Sequence, residues 1–320
     1  MQTYDRLVTV FGGSGFVGRH VVRALAKRGF RVRVAVRRPD LAGHLQPLGA
    51  VGQIHAVQAN LRYPDSVRQA VAGAEIVINC VGILFESGRQ KFDSVQARGA
   101  ATVARAAAEA GARLIHVSAI GADADSAALY ARTKAAGEAA VLQEVPDAVI
   151  LRPSIVFGPE DGFFNRFAGM AQMAPALPLV GGGGTKFQPV FVGDVAQAVM
   201  AAVDGQTKPG TVYELGGPAV KSFRELLEFV LATIQRKRLL VSLPFGLARL
   251  QAKVLQLLPK PLLTEDQVEL LRSDNVVSAA AKAEGRTLEG LGIQPQSVEA
   301  VVPTYLWRFR RQGQFTESTR

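Results

Sequence analysis

Cysteine and histidine are scarce in this chain of 320 residues. Its one cysteine, Cys80, excludes an internal disulfide and a metal site built from several thiolates. The four histidines are scattered along the sequence and none of them shows the spacing of a metal-ligand pair. We therefore predict that the protein has no metal site.

Long apolar runs are also missing, because no stretch approaches the roughly 18 residues that a membrane-spanning helix requires. Residues 1–6 lead directly into an apolar strand pattern and resemble neither a signal peptide nor a transit peptide. Hydrophobic residues make up 48% and charged residues 20%, which excludes disordered and fibrous proteins. The sequence predicts a folded cytoplasmic protein with one large α/β domain or two domains.

Acidic residues are outnumbered, with 27 Asp and Glu against 37 Lys and Arg, and the net charge is +10. The excess lies in the C-terminal third. Residues 221–260 contain eight Lys or Arg against two Glu, and residues 304–320 contain four Arg against one Glu. Such a surface complements nucleic acid, anionic lipid or an acidic protein, although an ordinary solvated basic face has the same composition.

Short β-rich runs alternate with Ala-rich helical stretches over the first 155 residues. The predicted strands are Leu7–Phe11, Val32–Val36, Ile54–Val57, Ile76–Val81, Leu114–Val117 and Ala148–Leu151, and the predicted helices lie near 16–28, 65–72, 95–110 and 127–143. Helices of this length between strands imply right-handed crossovers. We therefore predict an α/β fold with a doubly wound parallel sheet in residues 1–155.

Residues 156–320 are predicted to form a smaller substrate or docking region that is interleaved with the first domain. The stretch 158–193 is rich in Gly and Pro and indicates a loop with short elements. Helical periodicity returns at 194–203 and 222–236.

A basic amphipathic helix is predicted between Ser242 and Leu258. Its apolar residues recur at three- and four-residue spacing: Leu243, Leu247, Leu250, Val254, Leu257 and Leu258. Arg249 and Lys253 lie one turn apart on another face. A helix packed into the protein's own core and a helix lying on a partner or membrane surface both fit this pattern.

A glycine motif joins the first predicted strand to the first predicted helix. Gly12, Gly13, Gly15 and Gly18 satisfy both G-x-G-x-x-G and G-x-x-G-x-x-G. The early glycines permit a tight turn close to a pyrophosphate, and the last one lets the helix approach the strand. With a strand before it and a helix after it, the motif predicts a dinucleotide-binding loop.

The position about 20 residues beyond the glycines distinguishes the two nicotinamide cofactors. Arg37 and Arg38 stand there, and the nearest acid is Asp40. Because an acid would repel a 2′-phosphate and a guanidinium binds it, NADP(H) is predicted in preference to NAD(H).

A Y-x-x-x-K motif, Tyr130 to Lys134, places both side chains on one face of a predicted helix. Ser118 follows a predicted strand twelve residues upstream, at the sheet edge where ligands bind. An ammonium group stabilises a nearby phenolate, and a serine hydroxyl beside it orients a carbonyl. Ser118, Tyr130 and Lys134 are therefore the candidate catalytic residues.

Together these motifs resemble the extended and atypical branch of the short-chain dehydrogenase/reductase superfamily. Further matching segments are Asn79–Gly82, Leu151–Pro159 and Pro189–Ala196, in which Gly193 replaces the more usual acid. A narrower resemblance, carried by Phe187–Val190, Tyr213–Pro218 and Thr304–Arg308, is to the nucleotide-binding accessory subunit of respiratory complex I and its bacterial relatives.

The resemblance implies an NADP(H)-binding protein with a structural cofactor, complex I subunits as partners, and a peripheral position on the cytoplasmic face of the inner membrane. It implies no nucleic acid. The alternative is a working NADPH-dependent reductase, or an epimerase/dehydratase, acting on a small carbonyl compound or a sugar nucleotide. The implied cofactor-binding residues are Gly12, Gly13, Ser14, Gly15, Phe16, Val17, Gly18, Arg37, Arg38, Asn60, Leu61, Val81, Gly82, Tyr130, Lys134, Pro153 and Ile155.

Two residues depart from the family pattern. Gln96 stands where relatives commonly have the asparagine that helps to hold a proton-relay water, which argues against turnover. Asn60 stands where relatives usually have the Asp that contacts adenine, and its carbonyl can still accept a hydrogen bond from the adenine amine.

Overall fold

The expected alternation of strands and helices is present in the computed structural model, which describes residues 6–258 and 261–311. The strands are β1 Leu7–Phe11, β2 Arg31–Val36, β3 Ile54–Gln58, β4 Ile76–Asn79, β5 Arg113–Val117, β6 Val149–Pro153, β7 Val156–Phe157, β8 Ala176–Val180, β9 Lys186–Phe187, β10 Val190–Phe191, β11 Val212–Leu215, β12 Lys221–Ser222 and β13 Leu239–Leu243. The helices are α1 Phe16–Lys27, α2 Pro64–Val71, α3 Arg98–Glu109, α4 Leu129–Glu144, α5 Phe164–Met173, α6 Val192–Val203, α7 Phe223–Thr233, α8 Phe245–Leu255, α9 Glu265–Leu270, α10 Ala279–Ala283, α11 Val298–Val301 and α12 Pro303–Leu306.

The first of two units, here called the Rossmann unit, comprises Met1–Pro153, Gly193–Leu215 and Ser278–Ile293. Its parallel sheet has seven strands in the described part of the chain, in the order β11-β6-β5-β4-β1-β2-β3. Ala-rich helices cover the sheet, because small side chains such as Ala100, Ala104 and Ala107 let helix and sheet pack closely. This confirms the predicted doubly wound fold.

The strand order reverses between β1 and β4, and a ligand crevice forms at such a point outside the carboxyl ends of the strands. β4 ends at Asn79 rather than at the predicted Val81. The Asn79 side-chain oxygen accepts the Val81 N–H at 3.1 Å, which takes that N–H out of the strand ladder. The chain after β4 thereby turns into the crevice edge.

The helix predicted from residue 95 begins only at Arg98. It is preceded by a π-helical turn over Asp93–Ala97, and such turns often occur at functional sites. The buried Gln96 lies in this turn.

The second unit comprises Ser154–Val192, Gly216–Val277 and Gln294–Arg320. The stretch predicted as loop contains the ten-residue helix α5 and the strand β8. Phe164, Ala168 and Ala171 are fully buried at helical spacing, so an apolar face outweighs the surrounding Gly and Pro residues. The predicted division at residue 155 lies two residues beyond Pro153, where the first segment of the Rossmann unit ends. Two later segments of the chain, Gly193–Leu215 and Ser278–Ile293, also belong to that unit.

Helix α8 lies within the predicted segment but is shorter than predicted, because Ser242 and Leu243 belong to strand β13 and the helix ends at Leu255. Ala248 and Ala252 are fully buried against Val180 and Val268. The leucine-rich face points outward: Leu247, Leu250, Val254 and Leu257 are exposed by 55%, 62%, 66% and 82%. We call these four residues the α8 stripe. At about 100° per residue, the three stripe residues within α8 lie roughly opposite the two buried alanines.

Candidate functional site

The loop after β1 depends on glycine backbone geometry. Gly12 has a left-handed backbone with φ of 73°, and its N–H donates to the Ala35 carbonyl on β2 at 3.1 Å. The Gly15 N–H donates to the Gly12 carbonyl at 2.9 Å and closes the turn. A Cβ at Gly18 would lie 2.6 Å from the Gly13 Cα and closer still to the Gly12 oxygen. Only glycine therefore lets α1 approach the turn.

Helix α1 presents an anion-binding end at this loop. Its N-cap, Gly15, supplies no side-chain cap, and its first turn contains no acidic residue. Backbone N–H groups and the helix dipole at such an end attract a phosphate. The Arg19 guanidinium donates to the carbonyls of Ser14 and Gly15, at 3.3 Å each, and adds positive charge beside the turn.

A cleft of about 360 Å³ opens at the carboxyl ends of β1 to β4, inside the Rossmann unit. Nine of the predicted cofactor residues line it: Gly12, Ser14, Gly15, Arg37, Arg38, Asn60, Leu61, Val81 and Gly82. Gly13, Phe16, Val17 and Gly18 belong to the same loop and helix but are not part of this lining. The cleft has the size of a small-ligand site, and its glycine turn brings backbone rather than side chains to the cleft edge.

Several lining residues were missed by sequence reasoning, namely Leu41, Arg62, Cys80, Ile83 and Gln90. Most of them lie within three residues of a predicted site residue, just beyond a strand end. Arg62 also fixes Asn60, because the Asn60 side-chain oxygen accepts the Arg62 backbone N–H at 3.2 Å and its Nε at 3.4 Å. The carbonyl oxygen predicted to meet adenine is thus already engaged.

Four predicted cofactor residues lie elsewhere and are not part of the lining: Tyr130, Lys134, Pro153 and Ile155. Pro153 ends β6, and its carbonyl accepts the Ile120 N–H at 3.0 Å. Ile155 belongs to the second unit, where its carbonyl accepts the Val190 N–H at 2.9 Å. None of the four lines the cleft as described, so their contacts with a cofactor stay predictions.

The predicted catalytic residues lie on β5 and α4 of the Rossmann unit. Ser118 follows β5, and its backbone N–H donates to the Leu151 carbonyl at 2.7 Å. Tyr130 and Lys134 lie one turn apart on α4, with the Tyr130 ring edge-on to Phe92 at 5.8 Å. The Lys134 ammonium reaches the Val117 carbonyl at 3.4 Å, and Gly82 lies beside it. Lys134 therefore extends from α4 to the ends of β4 and β5.

Two buried oxygens in this region have no partner. Among the described residues, only Ser118 Oγ and Gln96 Oε1 are buried side-chain polar atoms without a hydrogen bond. The Gln96 amide nitrogen donates to the Ile83 carbonyl at 2.8 Å, which fixes the oxygen in place. Buried polar atoms are almost always satisfied, so these two indicate a place for water or a ligand.

Lys134 is a buried ionisable group at the ends of β4 and β5. Burial lowers the pKa of the His116 imidazole to about 3 and raises the pKa of the Cys80 thiol to about 12, so both are neutral near pH 7. Burial lowers the pKa of Lys134 from 10.5 to about 8, although Glu138 one turn later opposes the shift. Arg152 donates three hydrogen bonds to Glu138, at 2.9, 3.2 and 2.5 Å. The site thus supplies one ammonium that titrates close to neutrality.

We expect nucleotide affinity to fall as the pH rises from about 7 to about 9. Lys134 loses its proton through its folded pKa of about 8, and its attraction for an anionic nucleotide disappears with the charge. Fluorescence titration of NADPH across this range measures the effect. Lys134→Met should weaken binding at pH 7 and flatten the profile; a native profile already flat between pH 7 and 9 would contradict the assignment.

Metal-binding and membrane-spanning features are not found in the described part of the chain. Residues 6–258 and 261–311 contain no cluster of three His, Cys, Asp or Glu side chains that could hold a metal ion. Within the same ranges, no helix combines the length and apolarity needed to cross a bilayer.

Comparison with known proteins places these motifs in a family. The pattern of the NAD dependent epimerase/dehydratase family matches residues 8–216. The mitochondrial NADH dehydrogenase [ubiquinone] 1 alpha subcomplex subunit 9 of Arabidopsis thaliana is 37% identical over 320 residues, covering 96% of this chain and 79% of its own. The subunit of the same name from Mus musculus is 34% identical over 298 residues, covering 92% of this chain and 78% of its own.

Solved structures agree on the fold. DesIV, a dTDP-glucose 4,6-dehydratase from Streptomyces venezuelae determined with NAD and TYD bound, superposes with a TM-score of 0.71. The match covers 95% of this chain and 96% of the other at 19% identity, so it supports the architecture alone.

Proposed function

Because this chain belongs to the NAD dependent epimerase/dehydratase family, we propose that it is an NADP(H)-binding accessory subunit of respiratory complex I. The observation that carries the proposal is the 37% identity with a complex I subunit along 96% of the chain. Likeness over both units, rather than over the nucleotide-binding unit alone, favours a shared role. In that role the cofactor stabilises the Rossmann unit and is not consumed.

The cofactor is proposed to be NADP(H) rather than NAD(H). Arg37 and Arg38 line the cleft at the end of β2, where the ribose 2′ position of a bound dinucleotide lies in this fold. A guanidinium attracts the additional phosphate of NADP(H).

Attachment is proposed to occur through the second unit, at the cytoplasmic face of the inner membrane and beside other complex I subunits. The α8 stripe is an exposed apolar face, and Arg249 and Lys253 lie next to it on the same helix. Apolar and basic side chains side by side suit the boundary between anionic headgroups and acyl chains. Lys260, Glu317 and Arg320, which contribute to the predicted basic segments, lie outside the described residues.

The test is native purification from membranes. The protein should migrate with complex I subunits on a native gel, and the nucleotide released on denaturation should be NADPH. Titration of the emptied protein should give tighter binding of NADPH than of NADH. Migration apart from complex I would refute the accessory role, and equal or tighter binding of NADH would refute the cofactor assignment.

A second candidate is a working NADPH-dependent reductase or epimerase. The buried and unpartnered Ser118 Oγ favours it, because a substrate carbonyl oxygen would accept its hydrogen bond. The nicotinamide would supply hydride to the carbonyl carbon, and Tyr130 would donate a proton to the oxygen while Lys134 stabilises the resulting phenolate.

Tyr130→Phe separates the two candidates. In a working reductase this change should reduce turnover at least about a hundredfold and leave NADPH affinity within about twofold, since general acid catalysis contributes roughly 10²–10⁴. In an accessory subunit no carbonyl compound will oxidise bound NADPH at a useful rate, with or without the hydroxyl. Robust NADPH oxidation that is lost in Tyr130→Phe would shift the assignment to the reductase.

A further inference from the structure

The two arginines at the end of β2 differ in their surroundings. Arg38 is bound by Asp40: its Nε donates to Oδ1 at 3.0 Å and its Nη2 donates to Oδ2 at 2.7 Å. Arg37 is exposed and makes no hydrogen bond or ion pair with the described residues. Both side chains line the cleft, whereas Asp40 does not.

This geometry changes the charge available to a ligand. The Nε/Nη2 edge of a guanidinium is a fork that binds carboxylate or phosphate bidentately, and in Arg38 a carboxylate already occupies it. The Arg38–Asp40 pair is neutral as a whole. Arg62, the third arginine of the lining, holds Asn60 beyond the end of β3. Arg37 is therefore the guanidinium with its full charge and hydrogen-bonding capacity at the β2 edge.

We propose that Asp40 determines cofactor specificity by occupying the binding edge of Arg38, so that Arg37 alone recognises the 2′-phosphate and NADPH is favoured only moderately over NADH. This inference rests on the proposed nucleotide function. Asp40 acts through Arg38, and its carboxylate would also repel a phosphate dianion bound at that guanidinium. Replacing Asp40 frees the Arg38 guanidinium and removes one negative charge at the ribose position.

The first test compares variants by titration with NADPH and with NADH. Arg37→Ala should weaken NADPH binding about tenfold or more, whereas the double variant Arg38→Ala/Asp40→Asn, which removes the neutral pair without leaving an uncompensated carboxylate, should change it less than about threefold. Asp40→Asn should tighten NADPH about tenfold and change NADH less than about twofold, because NADH has no 2′-phosphate. In the Asp40→Asn background, Arg38→Ala should now cost about tenfold, which measures the coupling between the two side chains.

A matched control is provided by Glu284 and Arg286. This pair has the same two-residue spacing and a similarly exposed carboxylate, 59% against 57% for Asp40, and neither residue lines the cleft. Glu284→Gln changes the net charge as Asp40→Asn does and should leave both affinities unchanged. The thermal unfolding temperature of each variant shows whether a loss of affinity comes from unfolding or from the loss of a single contact.

Three outcomes would overturn the proposal: equal losses in Arg37→Ala and in Arg38→Ala/Asp40→Asn, tightening of NADH and NADPH by the same factor in Asp40→Asn, or a larger NADPH loss in Arg62→Ala than in Arg37→Ala. Failure of the native protein to bind either nucleotide would instead refute the proposed function, and the two failures are thereby distinguishable.

Discussion

Gly18→Ala is expected to abolish nucleotide binding while the wider Rossmann sheet remains folded. The added Cβ would lie 2.6 Å from the Gly13 Cα and closer still to the Gly12 carbonyl oxygen. Both neighbours are backbone atoms, so the clash is relieved only by moving α1 or the turn. Such overpacking costs about 3 kcal/mol of stability. Loss of two charge-assisted contacts to the pyrophosphate costs about 3–6 kcal/mol, or at least a hundredfold in affinity.

Gly43→Ala is the matched control. It makes the same one-carbon change in the same unit, but a Cβ there meets no atom within 4 Å, and the backbone does not need a left-handed conformation. Isothermal titration with NADPH and a denaturant unfolding curve should show native behaviour for Gly43→Ala. Full NADPH affinity in Gly18→Ala would mean that the pyrophosphate does not bind at this turn.

The features that sequence reasoning predicted correctly are governed by local rules. The glycine turn requires a positive φ at Gly12 and close backbone contact at Gly18, and glycine alone supplies both. Tyr130 and Lys134 share a helix face because of their spacing. The family assignment is confirmed by the match to residues 8–216. That range contains the glycine motif, Ser118 and the Y-x-x-x-K motif, all of which can be recognised from the sequence alone.

Other features depend on what lies beside a residue in space. Counting arginines at the end of β2 indicated two phosphate-binding groups, and the hydrogen bonds that Arg38 donates to Asp40 could be seen only in the structure. Likewise, periodicity predicted α8 but not which face it buries. The leucines give the stronger apolar signal, yet the small side chains of Ala248 and Ala252 allow the closest packing and take the interior position.

Under the proposed membrane attachment, replacing three residues of the α8 stripe is expected to release the protein. Leu247, Leu250 and Val254 are each more than half exposed, and burying the remainder on a bilayer contributes about 1–1.5 kcal/mol per side chain. Leu247→Ser/Leu250→Ser/Val254→Ser should therefore weaken attachment by about 3–5 kcal/mol, a hundredfold or more in partitioning. Fractionation of lysate, with NADPH binding measured in each fraction, tests this directly.

A control of equal size uses exposed apolar residues outside the stripe. Val51, Met173 and Val220 are exposed by 107%, 91% and 46%, and their replacement by Ser should leave the protein on the membrane. Release by the control triple to the same extent would refute a specific role for the stripe.

The basic residues beside the stripe should contribute the salt-sensitive part of the attachment. Exposed charges are screened within about 10 Å at 0.1 M salt, whereas apolar burial is not, so a high-salt wash should release only part of the native protein. Arg249 bonds Glu265 at 3.1 Å, and a glutamate at position 249 would face that carboxylate and disturb the second unit. Arg249→Gln/Lys253→Gln removes these two charges without this repulsion, and salt should then release a smaller fraction of the protein that remains bound. Flotation of the purified protein with anionic and with neutral vesicles distinguishes a lipid surface from a protein partner. If the α8 stripe attaches to lipid, the purified protein should float with anionic vesicles; if it attaches to a protein partner, the purified protein should float with neither kind. A native protein found wholly in the soluble fraction at low salt, and absent from complex I on native gels, would refute both the attachment and the accessory role.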